Sequence, residues 1–303
     1  MVGAGTIGAS WIACFLAHGF DVTAHDPSDA AMARIEAMVA RSWPALERFG
    51  LAAGASRDRL TLCSDLSTTV ADADFIQENG PERLELKRGL FEQLGRYARA
   101  DAIIASSSSG ITPSEYQDAC ANPDRVVLGH PFNPPHLIPL VEVCAGKLTS
   151  QATVDRTLAF YRSIGKHPIL LRREIRGHIA NRLQAAVWRE AFSLVSSGVA
   201  SAQDVDAAIS HGLGLRWALL GPYMNLHLAG GAGGSAHAFD LLAGPMQQWW
   251  ADMHDVTLDP ATIATLVAAG EAMVAEHDID AVVTQRDAML VELVKRKRES
   301  DLP

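Results

Sequence analysis

A doubly wound, parallel-sheet α/β fold with a second, all-helical domain is predicted by three observations. The first is a glycine turn, Gly3-Ala4-Gly5-Thr6-Ile7-Gly8, that opens an apolar helical stretch and is followed by an alternating segment ending on Asp26. The second is the regular succession of short apolar runs and helix-period segments as far as Leu171. That is the pattern of a Rossmann-like sheet covered on both faces. The third is a change of texture after Arg173, beyond which helical periodicity continues and no strand is predicted. Together they place an α/β domain at 1–171 and an all-helical domain at 172–303.

Taken in order, the elements begin abruptly. Only Met1 and Val2 precede the glycines, where a strand belongs, so either the chain starts upstream or its first strand is clipped. Residues 11–16 read as helix and 20–26 as strand. From 29 to 62 the pattern is helical, with Pro44 marking a turn or a fresh helix start between 30–39 and 43–49. A short strand at 74–78 leads through the turn Asn79-Gly80-Pro81 to a helix at 82–97. Residues 102–105 read as a buried strand backed by the polar loop Ser106–Ser109. Strands at 126–130, 139–143 and 168–171 accompany a helix at 154–164. Beyond them helices are predicted at 179–195, 204–210, 245–253 and 261–276, with a glycine-rich turn at 230–234.

Composition excludes several classes. A net charge of −9 gives no basic field for displacing counterions from nucleic acid. No apolar run reaches the roughly 20 residues needed to cross a bilayer, and no basic leader with a cleavage site precedes the glycines. The four cysteines are widely spaced without a Cys-x-x-Cys pair, so no structural metal and no disulfide framework are expected, and a reducing cytoplasmic setting is.

Gly3, Gly5 and Gly8, with Thr6 and Ile7 between them and an acid about 20 residues on, match the dinucleotide fingerprint. The glycines allow a tight turn, close approach of a pyrophosphate and close helix packing, and the helix N-terminus favours the phosphates. Asp26 suits ribose hydroxyls and repels a 2′-phosphate, which selects NAD over NADP; a FAD site or a plain glycine turn are the competing readings. Further on, Gly129-His130-Pro131-Phe132-Asn133-Pro134-Pro135 follows a strand, and Glu142 lies on the next one. An imidazole at a strand end, oriented by a carboxylate, is the acid–base pair that oxidation of a hydroxyl requires.

These residues, with Glu78-Asn79-Gly80-Pro81-Glu82, Ser106–Ser109, Leu140–Val143 and Gly177-His178-Ile179-Ala180-Asn181-Arg182, resemble the 3-hydroxyacyl-CoA dehydrogenase superfamily over essentially the whole chain. Within it the likeness is nearest to the lambda-crystallin, L-gulonate 3-dehydrogenase and carnitine dehydrogenase branch. The resemblance implies His130 as general base, Glu142 as its orienting partner, and Ser109 and Asn181 as holders of the substrate oxygen. It also implies Glu82 and Lys87 on the nicotinamide ribose and phosphate side, Asn133 as another polar residue on the cofactor or substrate side, and a homodimer formed through the helical domain. The loop departs from the family's Ser-Asn-Thr-Ser, reading Ser106-Ser107-Ser108-Ser109, which puts side-chain contacts from 107 and 108 in doubt. The plainer alternatives are a solvated acid and lysine at 82 and 87, a helix cap at Asn181 and a flexible serine turn.

Between residues 29 and 60 there is no lysine, which weakens an acyl-CoA reading. Arg216 beside Trp217 suggests a guanidinium for a free carboxylate, against the plain reading of a surface arginine. A small 3-hydroxy acid such as L-gulonate is therefore the expected substrate. Carnitine ranks below it because residues 223–227 are poorly aromatic, and a short-chain hydroxyacyl-CoA or a crystallin-like structural role are the alternatives.

Overall fold

The structure, a computed structural model, describes residues 1–275 and 277–302. The chain folds into two compact units, Met1–Arg182 and Leu183–Pro303. The division falls later than the sequence pattern places it because residues 174–181 are hydrogen-bonded back onto the first unit. Ser114 donates to Glu174, Arg176 to Glu115 and Asn181 to the Ser109 carbonyl.

In the first unit the chain forms α1 (Thr6–Ala17), β1 (Val22–Ala24), α2 (Asp29–Phe49), β2 (Leu60–Leu62), α3 (Leu66–Val70) and β3 (Phe75–Glu78). It continues through α4 (Leu84–Tyr97), β4 (Ile103–Ser106), β5 (Val126–Pro131), β6 (Leu140–Ala145), α5 (Gln151–Ser163) and β7 (His167–Leu171). Strands β3 to β7 lie side by side in chain order, while β1 and β2 form a separate parallel pair. Val2 joins the two sets, bridging in parallel to both His25 and Glu78. A single residue thus stands where a nucleotide-binding sheet has its first strand.

All pairings are parallel except β5 with β6, in which His130 faces Glu142 and Gly129 faces Val143. A parallel return needs a crossover of a dozen or more residues, and the stretch from Phe132 to Pro139 has no helix to supply one. One apolar cluster, with Trp11, Ile35, Val39 and Tyr161, packs α1, α2 and α5 against the sheet. A second, with Val70, Phe91, Leu94 and Tyr116, packs α3 and α4. Burial on both faces is what makes Ile103–Ala105 of β4 and Val126–Leu128 of β5 apolar without alternation.

Two expectations are corrected here. Pro44 does not interrupt the helix but sits inside a continuous α2 of 21 residues, whose buried stripe Ile35, Val39, Trp43 and Leu46 runs through it. Tertiary packing along that stripe outweighs the hydrogen bond that proline forfeits. The helical reading also does not extend to Leu62, because Leu60–Leu62 pairs with β1 as strand β2.

The second unit holds most of α6 (Ala180–Ser196), then α7 (Ala202–Ala208), α8 (Gly214–Trp217), α9 (Pro222–Ala229), α10 (Gly234–Asp252), α11 (Pro260–Val274) and α12 (Ile279–Glu299). The 204–210 helix thus starts earlier, and a π-turn over Ile209–Leu213 carries it into α8. Helix α10 begins well before residue 245 and encloses Pro245. The predicted end of the 261–276 helix at Glu276 lies outside the described residues.

The first unit also buries a charge pair. Lys87 on α4 is 2% exposed, and its ammonium lies 2.9 Å from both carboxylate oxygens of the fully buried Glu78. Ser106 and the Gly80 amide donate to the same carboxylate. Removing one member of such a pair strands the other in a low-dielectric interior, so Lys87→Met is expected to lower the unfolding free energy by about 3–5 kcal/mol. Urea denaturation measures this, and a loss within error of zero would show that the pair bears no such weight.

Candidate active site

The glycine turn is built for a close ligand. Gly3 has φ +81°, and a Cβ at Gly8 would lie 2.0 Å from the Gly3 carbonyl oxygen, so neither position accepts another residue without opening the turn. Gly5, by contrast, faces open space and caps α1 with no side-chain acceptor of its own. The first amides of α1 are therefore left for an anion. Thr6 is exposed and Ile7 half-buried beside them. Asp26 stands just beyond β1, where one oxygen accepts from the Ala4 amide at 2.8 Å and the other from the Ser28 amide at 2.9 Å. The carboxylate is thereby fixed against the glycine turn. These residues fit a dinucleotide: a cradle for phosphates, with an acid for ribose hydroxyls alongside.

At the C-terminal end of β5, His130 is 5% exposed and its Nδ1 donates to Glu142 Oε2 at 2.9 Å. With Nδ1 occupied, Nε2 is the nitrogen left to exchange a proton. Glu142 has no exposed surface, and its Oε1 accepts from the amides of Ile179 at 2.7 Å and Ala180 at 3.0 Å. Burial works against charge on this carboxyl, but the His130 bond and the two amides outweigh it and hold the group below its ordinary value. The strand beneath is shaped for this as well. A Cβ on Gly129 would meet the Tyr161 hydroxyl at 2.1 Å, so glycine lets Tyr161 reach Gln77 under the histidine.

The serine loop closes around the same end of the sheet. Ser109 is exposed, and its carbonyl accepts from Asn181 Nδ2 at 3.1 Å. Glu82 Oε1 accepts from the Ser108 hydroxyl at 2.6 Å and from the amides of Gly110 and Ile111. Burial opposes its charge, yet those three bonds hold the Glu82 carboxyl below its usual range. The structure thus brings together His130 with Glu142, Ser109 with Asn181, and Glu82 with the serine turn. Asn133 is exposed on the loop after β5. Lys87 is directed elsewhere: its ammonium is engaged by Glu78 inside the protein rather than presented at the surface. Arg216 is exposed on α8, within the second unit.

Three further residues take part that were given no role from sequence. Glu78 anchors Lys87 and Ser106, and Ser108 links Glu82 to the loop. His178, 1% exposed, donates from Nε2 to the Ser108 carbonyl at 3.0 Å, with its ring centroid 5.1 Å from that of His130. In the sequence it stands out only as a member of the Gly177–Arg182 motif, a polar residue between a glycine and an apolar helix start. Among the described residues no cluster of His, Cys, Asp or Glu is arranged to hold a metal ion.

Residues 1–175 match the NAD-binding domain and residues 177–257 the C-terminal domain of 3-hydroxyacyl-CoA dehydrogenase. The chain is 45% identical to an L-carnitine dehydrogenase of Bacillus cereus, over 97% of this chain and 90% of that one. It is 46% identical to an L-carnitine dehydrogenase of Streptomyces griseus, over 97% and 88%. Among solved structures, an NAD⁺-dependent 5-formyl-3-hydroxy-2-methylpyridine 4-carboxylic acid 5-dehydrogenase superposes with a TM-score of 0.84 at 28% identity, covering 98% of this chain and 97% of that one. A (S)-3-hydroxybutyryl-CoA dehydrogenase from Ralstonia eutropha gives 0.64 at 26% identity, over 89% and 92%. With a glycine cradle for the dinucleotide and a buried histidine–carboxylate pair on β5 and β6, the chain belongs to the 3-hydroxyacyl-CoA dehydrogenase family and is an NAD-dependent oxidoreductase.

Proposed function

We propose that this enzyme oxidises the 3-hydroxyl of L-carnitine, with His130 as general base. The observation that carries the chemistry is the His130–Glu142 pair, buried and joined at 2.9 Å. The substrate assignment is supported by the L-carnitine dehydrogenases that align along nearly the whole chain, and this reverses the order in which local aromatic content ranked L-gulonate and carnitine.

When bound, NAD supplies the acceptor for the hydride that leaves C3 of the substrate. The remaining work falls to the protein. His130 Nε2 takes the hydroxyl proton as the carbon–oxygen double bond forms, and the adjacent Glu142 carboxylate balances the imidazolium. The Ile179 and Ala180 amides keep that carboxylate from turning away. Ser109 and Asn181 hold the reacting oxygen, and Glu82 sets the loop that carries Ser109. L-Carnitine also has a carboxylate and a quaternary ammonium. Arg216 is assigned to the carboxylate and Trp217 to the cation, each by its chemistry.

A homodimer and a cytoplasmic location belong to the same proposal. The exposed side chains Ile263, Val267 and Val274 recur on one face of α11. A second copy of the chain is the cover proposed for them, while the four free thiols accord with a reducing compartment.

NADH formation over a panel of L-carnitine, L-gulonate and short-chain 3-hydroxyacyl-CoA should be fastest with L-carnitine, and faster turnover of either other compound would displace it. His130→Ala should cut kcat about a hundredfold or more, and undiminished turnover would remove the histidine from the chemistry. Arg216→Met should raise KM for L-carnitine roughly tenfold or more with little change in kcat; an unaltered KM would leave the carboxylate without this partner. Light scattering should give twice the mass of the single chain, whereas the single mass would refute the dimer.

A further inference from the structure

Directly behind the catalytic pair sits a second imidazole that the reaction itself does not call for. Gly177 and His178 both have positive φ, +75° and +50°, and together they turn the chain into the start of α6. A positive φ is uncommon for a residue with a Cβ, and it costs conformational energy that surrounding contacts must offset. Here the turn does two things at once. It aims the next two amides, Ile179 and Ala180, at Glu142, and it drives the His178 ring inward against the Ser108 carbonyl.

We propose that His178 is a positioning residue that ties the serine loop to the His130–Glu142 pair, acting as a neutral imidazole protonated on Nε2. This rests on the reading of His130 as general base. The Ser108 carbonyl only accepts, so the nitrogen facing it must carry a proton. Ser108 is followed by Ser109, whose own carbonyl is held by Asn181, so the backbone of the substrate-side serine is pinned from two consecutive carbonyls. The serine loop is held on its other side by Glu82. Phenylalanine would fill the space of the imidazole but leave a buried carbonyl without its donor.

The charged surroundings suit a neutral ring. His130 stands on β5, Glu142 on β6, and Glu82 ahead of α4, and these are the titratable groups that act on His178. Burial holds the imidazole below its ordinary value; the Ser108 carbonyl pulls the other way, His130 adds to the lowering, and Glu142 and Glu82 oppose it. A neutral His178 leaves Glu142 to answer for one cation, the one that forms on His130. A charged His178 would compete for it.

Two measurements test this. Long-range proton–nitrogen NMR of the imidazoles in the intact protein should show His178 neutral, with its proton on Nε2, at pH 7. A protonated ring or the opposite tautomer would overturn the proposal, whatever the substrate. In steady-state assays with NAD and L-carnitine, His178→Phe should lower kcat about tenfold, while the calorimetric Kd for NAD stays within about twofold. His178→Gln, which can still donate to Ser108, should recover most of the loss. Equal defects in two folded variants, or a kcat unchanged in His178→Phe, would refute a positioning role. Activity abolished by His130→Ala but indifferent to His178 would sink this inference alone, whereas activity surviving His130→Ala would sink the reading beneath it.

Discussion

The buried carboxylate of Glu142 is the constraint on which the rest of the site depends. An ionised carboxyl with no exposed surface is expensive unless each oxygen is occupied, and here three donors occupy both. They come from two places in the chain: His130 on the neighbouring strand, and the two amides at the entry to α6. Satisfying one charge therefore fixes the orientation of the imidazole and the start of the helix together. The antiparallel register makes this possible. Directly opposed residues of an antiparallel pair present their side chains on the same face, so His130 opposite Glu142 guarantees that the two meet.

The same device recurs twice nearby. Glu78 gathers Lys87, Ser106 and the Gly80 amide, and Glu82 gathers Ser108 and the amides of Gly110 and Ile111. Each carboxylate joins a strand end or helix entry to a loop. The serine loop lies between them, held by Glu78 through Ser106, by Glu82 through Ser108 and by His178 through the Ser108 carbonyl. Loops are ordinarily the mobile part of an α/β protein. This one is fastened at successive residues, which suits the role proposed for Ser109 of holding the reacting oxygen.

Much of this was visible in the residues themselves. The glycine turn with Asp26, the strand-end histidine and the acid on the next strand are local patterns, and the structure brings them together as geometry. Other features were hidden for physical reasons. Leu60–Leu62 is too short for periodicity to register, and it becomes a strand only because β1 lies alongside it. Pro44 looks like a helix break until the buried stripe on either side is seen to continue through it. The antiparallel turn between β5 and β6 hides in a proline-rich loop whose length is informative only once both strands are placed. Lys87 exposes the limit most clearly: a lysine carries no mark in the sequence of whether its ammonium points outward, and here it points to Glu78.

Substrate choice tests a different kind of legibility. Local reading asked whether residues 223–227 hold enough aromatic rings for a quaternary ammonium, and by that measure carnitine ranked low. Recognition of a cation by aromatic faces needs a few rings converging in space, however, and no single window of sequence must contain them all. Tyr223, Trp217, Trp249 and Trp250 all lie in the second unit with large exposed surfaces, so aromatic residues are present there without being consecutive. A count within one segment therefore underestimates a helical domain, whose binding surfaces are assembled from several helices. Whole-chain similarity does not share that weakness, because it integrates over positions whose spatial grouping need not be known. That is why it carries the substrate proposal, while the histidine and its carboxylate carry the proposal for the chemistry.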